Sequence, residues 1–104
     1  YLHQGFERIT NNGNGYVGIG AGTECNVTCG TVKLNVYLER SSGSESFYSY
    51  QKWENVDYNT ASLYFNKQVK VEKGYYYRLR GYHSCTKNGV LENGGSVTDR
   101  IYIG

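Results

Sequence analysis

The stretch TVKLNVYLER, residues 31 to 40, decides the fold class. Its apolar residues alternate with polar or amphipathic ones, and they are Val32, Leu34, Val36 and Leu38. A period of two places one set of side chains on a buried face and the other set in water. The stretch therefore predicts a strand of an antiparallel sheet that covers a core on one side.

Similar patterns recur on both sides of this stretch. Further strands are predicted at residues 6–9, 16–21, 47–56, 61–71, 75–83 and 97–103, separated by turn signals and by a polar, glycine-rich loop at 87–96. We find no helical period of 3.6 residues. About seven short strands in 104 residues predict one domain, residues 1–104, folded as an all-β, two-sheet antiparallel sandwich.

One glycine motif is a false lead. Gly13, Gly15 and Gly18 have the GxGxxG spacing of dinucleotide-binding loops. That site needs a strand before the motif, a helix after it and an acidic residue on the next strand. No helix is predicted after the motif, so we interpret it as a turn that enters a strand.

Composition narrows the function classes. The net charge is only +2, and nine acidic residues argue against nucleic acid as a partner. No apolar run approaches the roughly 20 residues of a membrane-spanning helix.

Three cysteines in a small chain favour an oxidising compartment. The chain has no methionine, which we interpret as removal of a leader or as a fragment, and the first fits secretion. The spacing of cysteines and histidines predicts no metal site, and we expect no cofactor.

The order of motifs resembles a known architecture. A clean alternating strand is followed by a strand with the lone Trp53, a third apolar run, a Lys73-Gly74 turn and the strand GYYYRLRGYHSC, residues 74–85. This order resembles strands B, C, E, F and G of immunoglobulin-like and fibronectin type III domains. The resemblance implies that Tyr75 or Tyr77 bonds back to the corner before its own strand. Residues 71–104 also resemble small exported proteins of Gram-positive bacteria.

The resemblance also implies a cysteine pairing. In such a sandwich strands B and F run in the same direction, so Cys29 before B and Cys85 at the end of F should lie far apart. We therefore expect a Cys25–Cys29 disulfide and an unpaired Cys85. A free Cys85 near an exposed edge strand would permit a homodimer.

Strand parity predicts the candidate site. If Trp53, Tyr77, Leu79 and two C-terminal isoleucines face the core, their neighbours face outward on three adjoining strands. Tyrosine and arginine are favoured at contact surfaces because they give large area and bond at their tips. The predicted ligand-binding residues are Tyr48, Tyr50, Lys52, Tyr76, Arg78, Arg80, Tyr82, Arg100 and Tyr102. The alternative interpretation is that tyrosine–arginine stacking merely stabilises a wet sheet face.

We therefore expect a secreted, non-enzymatic binding module for a protein or a glycan. A small bacteriocin-like toxin or antagonist is the alternative, and a small hydrolase is a third class. A thiol nucleophile at Cys85 with His83 as its base and Asp99 nearby would be the enzymatic interpretation of the last third of the chain. Two neighbours on one strand face seldom direct their polar atoms at each other, so we expect no enzyme.

Overall fold

The computed structural model describes residues 1–43 and 46–104. The described part of the chain is built from strands and contains no helix, which confirms the all-β, antiparallel prediction. The six strands are β1 (Leu2–Gly13), β2 (Tyr16–Ser41), β3 (Tyr48–Lys70), β4 (Tyr75–Lys87), β5 (Val90–Val97) and β6 (Ile101–Ile103). The predicted turn at Gly13 to Gly15 joins β1 to β2.

The long strand β2 organises the sheet. Residues 16–24 of β2 pair with β1 on one edge and with residues 62–70 of β3 on the other. Residues 31–41 pair with residues 48–58 of β3 and, on the opposite edge, with β4. The described strands form one sheet that curls into a half-barrel, so the predicted sandwich of two sheets and seven strands is corrected. The reason is that β2 continues through a register shift between Glu24 and Cys29 instead of ending there.

The core fills the inner face of the curl. Alternate residues from β2 and β4 are almost completely buried there, because a strand turns every second side chain to the same side. The fully buried apolar residues of this cluster are Val17, Leu34, Val36, Leu38, Tyr77 and Leu79. Trp53 packs against the cluster but stays partly exposed, as does Phe65, whose ring centroid lies 5.6 Å from that of Trp53.

The predicted loop at 87–96 is wrong. A two-residue turn, Asn88–Gly89, reverses the chain, and β5 then pairs with β4 from Val90 to Val97. Both turn residues have positive φ, 52° and 77°, which is the conformation that an Asn-Gly hairpin turn supplies. The polar composition of β5 reflects its exposed position, not an absence of strand pairing. The last predicted strand shortens to β6.

Strand β3 is longer than predicted. Strand β3 runs without interruption through the polar residues 57–60 and so joins the two strands predicted at 47–56 and 61–71. This is possible because β3 pairs only with β2, so polar side chains lie at an open edge of the sheet.

The hydrogen bond from a tyrosine to the corner before its own strand, which the resemblance implies, is present. The Tyr77 hydroxyl donates to the Glu72 carbonyl oxygen at 2.7 Å, five residues upstream.

Candidate binding surface

The outer face of β4 carries the side chains that parity assigned to it. Tyr77 and Leu79 are completely buried, and β6 directs Ile103 into the same core. The alternate residues of β4, which point away from the core, are Tyr76, Arg78, Arg80 and Tyr82. The predicted orientation of this strand is confirmed.

Glu39 of β2 orients the two arginines. Arg78 Nε donates to Glu39 Oε1 at 2.8 Å, and Arg80 Nε donates to Oε2 of the same carboxylate at 3.2 Å. The Arg78 guanidinium also lies 4.2 Å from the centroid of the Phe47 ring. Arg78 is therefore held between a carboxylate and a ring. The Arg80 side chain keeps 53% of its surface exposed, so it is the more available of the two.

A shallow depression surrounds Arg80. Its volume is about 450 Å³, and its walls include Tyr37, Tyr82 and Val97. Tyr37 pairs with Arg80 across β2 and β4, and Arg80 pairs with Val97 across β4 and β5, so the three side chains form one row. Asn93 Nδ2 donates to the Tyr82 hydroxyl at 3.3 Å and holds that ring at the rim. Tyr37 and Glu39 were absent from the predicted site, although the alternation of 31–40 places both on the polar face.

The remaining predicted residues of the outer face lie around this depression. Lys52 is exposed and pairs with Tyr37 across β3 and β2. Tyr76 and Tyr102 pair across β4 and β6, with ring centroids 5.0 Å apart, and the Arg100 guanidinium lies 5.4 Å from the Tyr76 centroid. The structure thus brings seven of the nine predicted residues to one face.

Tyr48 and Tyr50 lie on the opposite face, which corrects their assignment. Leu38 pairs with Gln51 but Glu39 pairs with Ser49, so β3 holds one extra residue at this point. Such a β-bulge reverses the alternation of side chains. Tyr50 therefore packs on the core beside Tyr77, with ring centroids 5.8 Å apart.

Arg40 lies among the tyrosines of the inner face. Its guanidinium carbon lies 4.5 Å from the centroid of Tyr50 and 4.3 Å from that of Tyr75. Its Nε donates to the Tyr48 hydroxyl at 3.3 Å, and this bond is the main cause that raises the pKa of Arg40 above its ordinary value. The inner tyrosines thus enclose a structural cation and leave little of it to a ligand.

A second depression lies over the glycines of β2. Its volume is about 400 Å³, and Arg8, Thr10, Asn66 and Gln68 line it from the two flanking strands. The side chains of Thr10 and Asn12 already lean across Gly18, where a Cβ atom would come within 2.6 Å of Thr10 Oγ1. This surface is polar and partly filled by its own side chains.

A buried polar network crosses from β1 to β4 and was not predicted. Glu7 Oε2 contacts His83 Nε2, and their side chains are only 1% and 2% exposed. Ser96 Oγ donates to Glu7 Oε1 and lies 3.0 Å from His83 Nε2. Thr23 Oγ1 donates to the Lys33 carbonyl oxygen and therefore accepts a hydrogen bond from His83 Nδ1 at 2.8 Å.

Space for this network comes from two residues without side chains. A Cβ atom at Gly81 would lie 2.0 Å from Glu7 Oε2, and one at Gly5 would lie 2.2 Å from His83 Cγ. His83 lacks the geometry of a base for a thiol nucleophile at Cys85, because its ring contacts Glu7, Thr23 and Ser96. Asp99 lies between β5 and β6, outside both strands.

The cysteine pairing is corrected. Cys25 and Cys85 form the disulfide, and Cys29 is a buried free thiol. Strands β2 and β4 are antiparallel neighbours, with Thr31 opposite Thr86, so the start of one segment lies beside the end of the other. The expectation that Cys85 is unpaired and available for a disulfide-linked dimer is therefore wrong.

Comparisons with known proteins return no relative. No family model, no curated protein and no solved structure matches the chain. In the part of the chain that the structure describes, no helix is long and apolar enough to cross a membrane.

Proposed function

We propose that the chain is a secreted, non-enzymatic binding module that holds an acidic glycan on the outer face of β2, β4 and β6. The observation that carries the proposal is the half-exposed Arg80 between Tyr37 and Tyr82. The disulfide supports an oxidising, extracellular setting.

The chemistry of the depression favours a sugar with a carboxylate. A guanidinium presents a planar fork of donors that matches a carboxylate, and Glu39 already fixes its orientation by taking Arg80 Nε. Tyrosine rings offer flat apolar surfaces for sugar rings and hydroxyls that bond at their tips. A shallow, open surface of this kind accommodates an extended chain better than a small compact molecule.

The buried network supports a binding role over a catalytic one. The Ser96, His83 and Glu7 side chains meet in one cluster that is directed into the protein, where Glu7 and His83 are almost inaccessible. His83 Nδ1 bonds a threonine hydroxyl, whereas a nucleophile–base pair needs a group that orients the base toward substrate. The function of the buried network is consequently to join β1 to β4.

Calorimetric titration with an oligogalacturonate tests the proposal, with a cello-oligosaccharide of equal length as the neutral control. Arg80→Ala should weaken binding about 10- to 100-fold, because a charged hydrogen-bonded pair contributes about 1.5–3 kcal/mol. Tyr82→Ser should weaken it as well. Arg8→Ala is the matched control, since Arg8 is also an exposed arginine but lines the other depression.

Two results would contradict the proposal. One is equal binding of the oligogalacturonate by the wild type and by Arg80→Ala. The other is a failure of the wild type to distinguish the acidic oligosaccharide from the neutral one.

A further inference from the structure

All three cysteines meet in one place. Their sulfur atoms lie within 4.8 Å of one another, although only Cys25 and Cys85 are bonded. Cys29 is 1% exposed and Cys85 is fully buried, in a small apolar cluster with Val32. A free thiol thus lies within reach of both sulfurs of a disulfide, which is the arrangement that thiol–disulfide exchange requires.

The backbone between Cys25 and Cys29 is free to adjust. Glu24 pairs with Ser62 and Cys29 with Thr60, so the residues of β2 in between have no partner in β3. Residues 26–28 are exposed to solvent. This segment accepts or donates three hydrogen bonds, from Asn26 N to the Tyr1 carbonyl oxygen at 2.9 Å, from Lys87 Nζ to the Thr28 carbonyl oxygen at 3.3 Å and, weakly, from Cys29 Sγ to the Val27 carbonyl oxygen at 3.5 Å. A small shift here leaves the long ladders of β2 intact.

We propose that Cys29 exchanges with the Cys25–Cys85 bond, so that the protein has a second disulfide isomer, Cys29–Cys85, in which Cys25 is a thiol open to covalent modification. Exposure decides which sulfur is released to solution. Cys25 is the most exposed of the three, and it adjoins the solvent-facing segment 26–28. Cys85 remains cross-linked to β2 in both isomers.

The chemistry balances without an external reductant. The Cys29 thiol gives its proton to solvent, and the thiolate attacks the sulfur of Cys85. The Cys29–Cys85 bond forms, the Cys25–Cys85 bond breaks, and Cys25 leaves as a thiolate. That thiolate then attacks a small disulfide in solution, which forms a mixed disulfide at Cys25 and releases one small thiol.

Oxidised glutathione is the probe for this inference. The oxidised chain is incubated with it at about pH 8.5, near the ordinary pKa of a thiol, without denaturant. After acid quenching, mass spectrometry of a non-reduced digest locates every sulfur. We expect one glutathione per chain on Cys25, together with a new Cys29–Cys85 linkage. The rate should fall as the pH is lowered, because only a thiolate attacks.

Cys29→Ser is the control, because a hydroxyl can replace the weak bond from Cys29 Sγ to the Val27 carbonyl oxygen. This variant keeps the Cys25–Cys85 disulfide and should form no adduct. An adduct of the wild type on Cys29 would overturn the inference, since it would show that the buried thiol reaches solution by itself. A wild-type chain that keeps only the Cys25–Cys85 linkage would overturn it too.

Discussion

Replacement of Gly81 by alanine tests the role of the buried network. The new Cβ atom would lie 2.0 Å from Glu7 Oε2, 2.3 Å from Glu7 Cδ and 2.8 Å from His83 Nε2. Contacts this short cannot persist, so the Glu7 carboxylate, which is 1% exposed and bonded to Ser96, has to move. We expect Gly81→Ala to separate Glu7 from His83 and Ser96 while all three remain buried.

The magnitude follows from the cost of an uncompensated buried group. Separating the members of a buried pair such as Glu7 and His83 while both stay buried costs about 3–5 kcal/mol. Alanine restores about 0.4–1 kcal/mol by restricting the unfolded chain. The free energy of unfolding should therefore fall by about 2–4 kcal/mol, a large part of the stability of a small domain.

Guanidinium chloride unfolding, followed by fluorescence of Trp53, measures this change. Gly95→Ala is the matched control, because Gly95 pairs with Tyr82, the residue next to Gly81, and its Cβ atom would lie 3.5 Å from the nearest atom, an ordinary contact. That variant should stay within about 1 kcal/mol of the wild type.

A double mutant decides whether the clash is the cause. If Gly81→Ala acts through Glu7, it should lower the free energy of unfolding much less in the Glu7→Ala background than in the wild type. The effects of the two substitutions should then deviate from additivity by more than about 1 kcal/mol. Additive effects, or a Gly81→Ala variant as stable as Gly95→Ala, would refute the reasoning.

Two further predictions concern tyrosine hydroxyls. Burial is the main cause that raises the pKa of Tyr77, so Tyr77→Phe should remove one step on the alkaline side of the tyrosine absorbance titration and cost about 0.5–1.5 kcal/mol through the lost bond to Glu72; an unchanged titration would contradict this. Bonds from Tyr64 and Gln4 lower the pKa of Glu24 from its ordinary 4.5, so their stabilising effect is present above that pH and is lost as the pH falls through the lowered pKa. Tyr64→Phe should flatten this acid-side loss in denaturant midpoints, whereas Tyr58→Phe, an exposed residue of the same strand, should leave it unchanged.

Local periodicity predicted the strands and most of the candidate surface. The alternation of β4 depends only on the sequence of apolar and polar side chains, so Arg78, Arg80 and Tyr82 were placed on the correct face. The same rule failed at Tyr48 and Tyr50, because a bulge adds a residue without any change in composition. The strand after Asn88–Gly89 was missed although the turn signal was present, since its polar residues lie at an exposed edge.

Contacts between distant residues could not be derived in the same way. Glu7 and Ser96 are 89 positions apart, and Cys25 and Cys85 are 60 apart. No local pattern marks such pairs as neighbours. Their contact depends on the path of β2, which continues past Glu24 and pairs with both β1 and β4.

By itself, the sequence determined the β architecture, the buried alternation of residues 31–40 and the outward face of β4. These depend on side-chain polarity and on the period of a strand, both of which are local. Tertiary structure alone decided that one curled sheet forms, that Cys25 pairs with Cys85 and that Glu7 meets His83. The physical reason is that strand register and sheet curvature bring together residues whose own neighbours in sequence carry no signal of the contact.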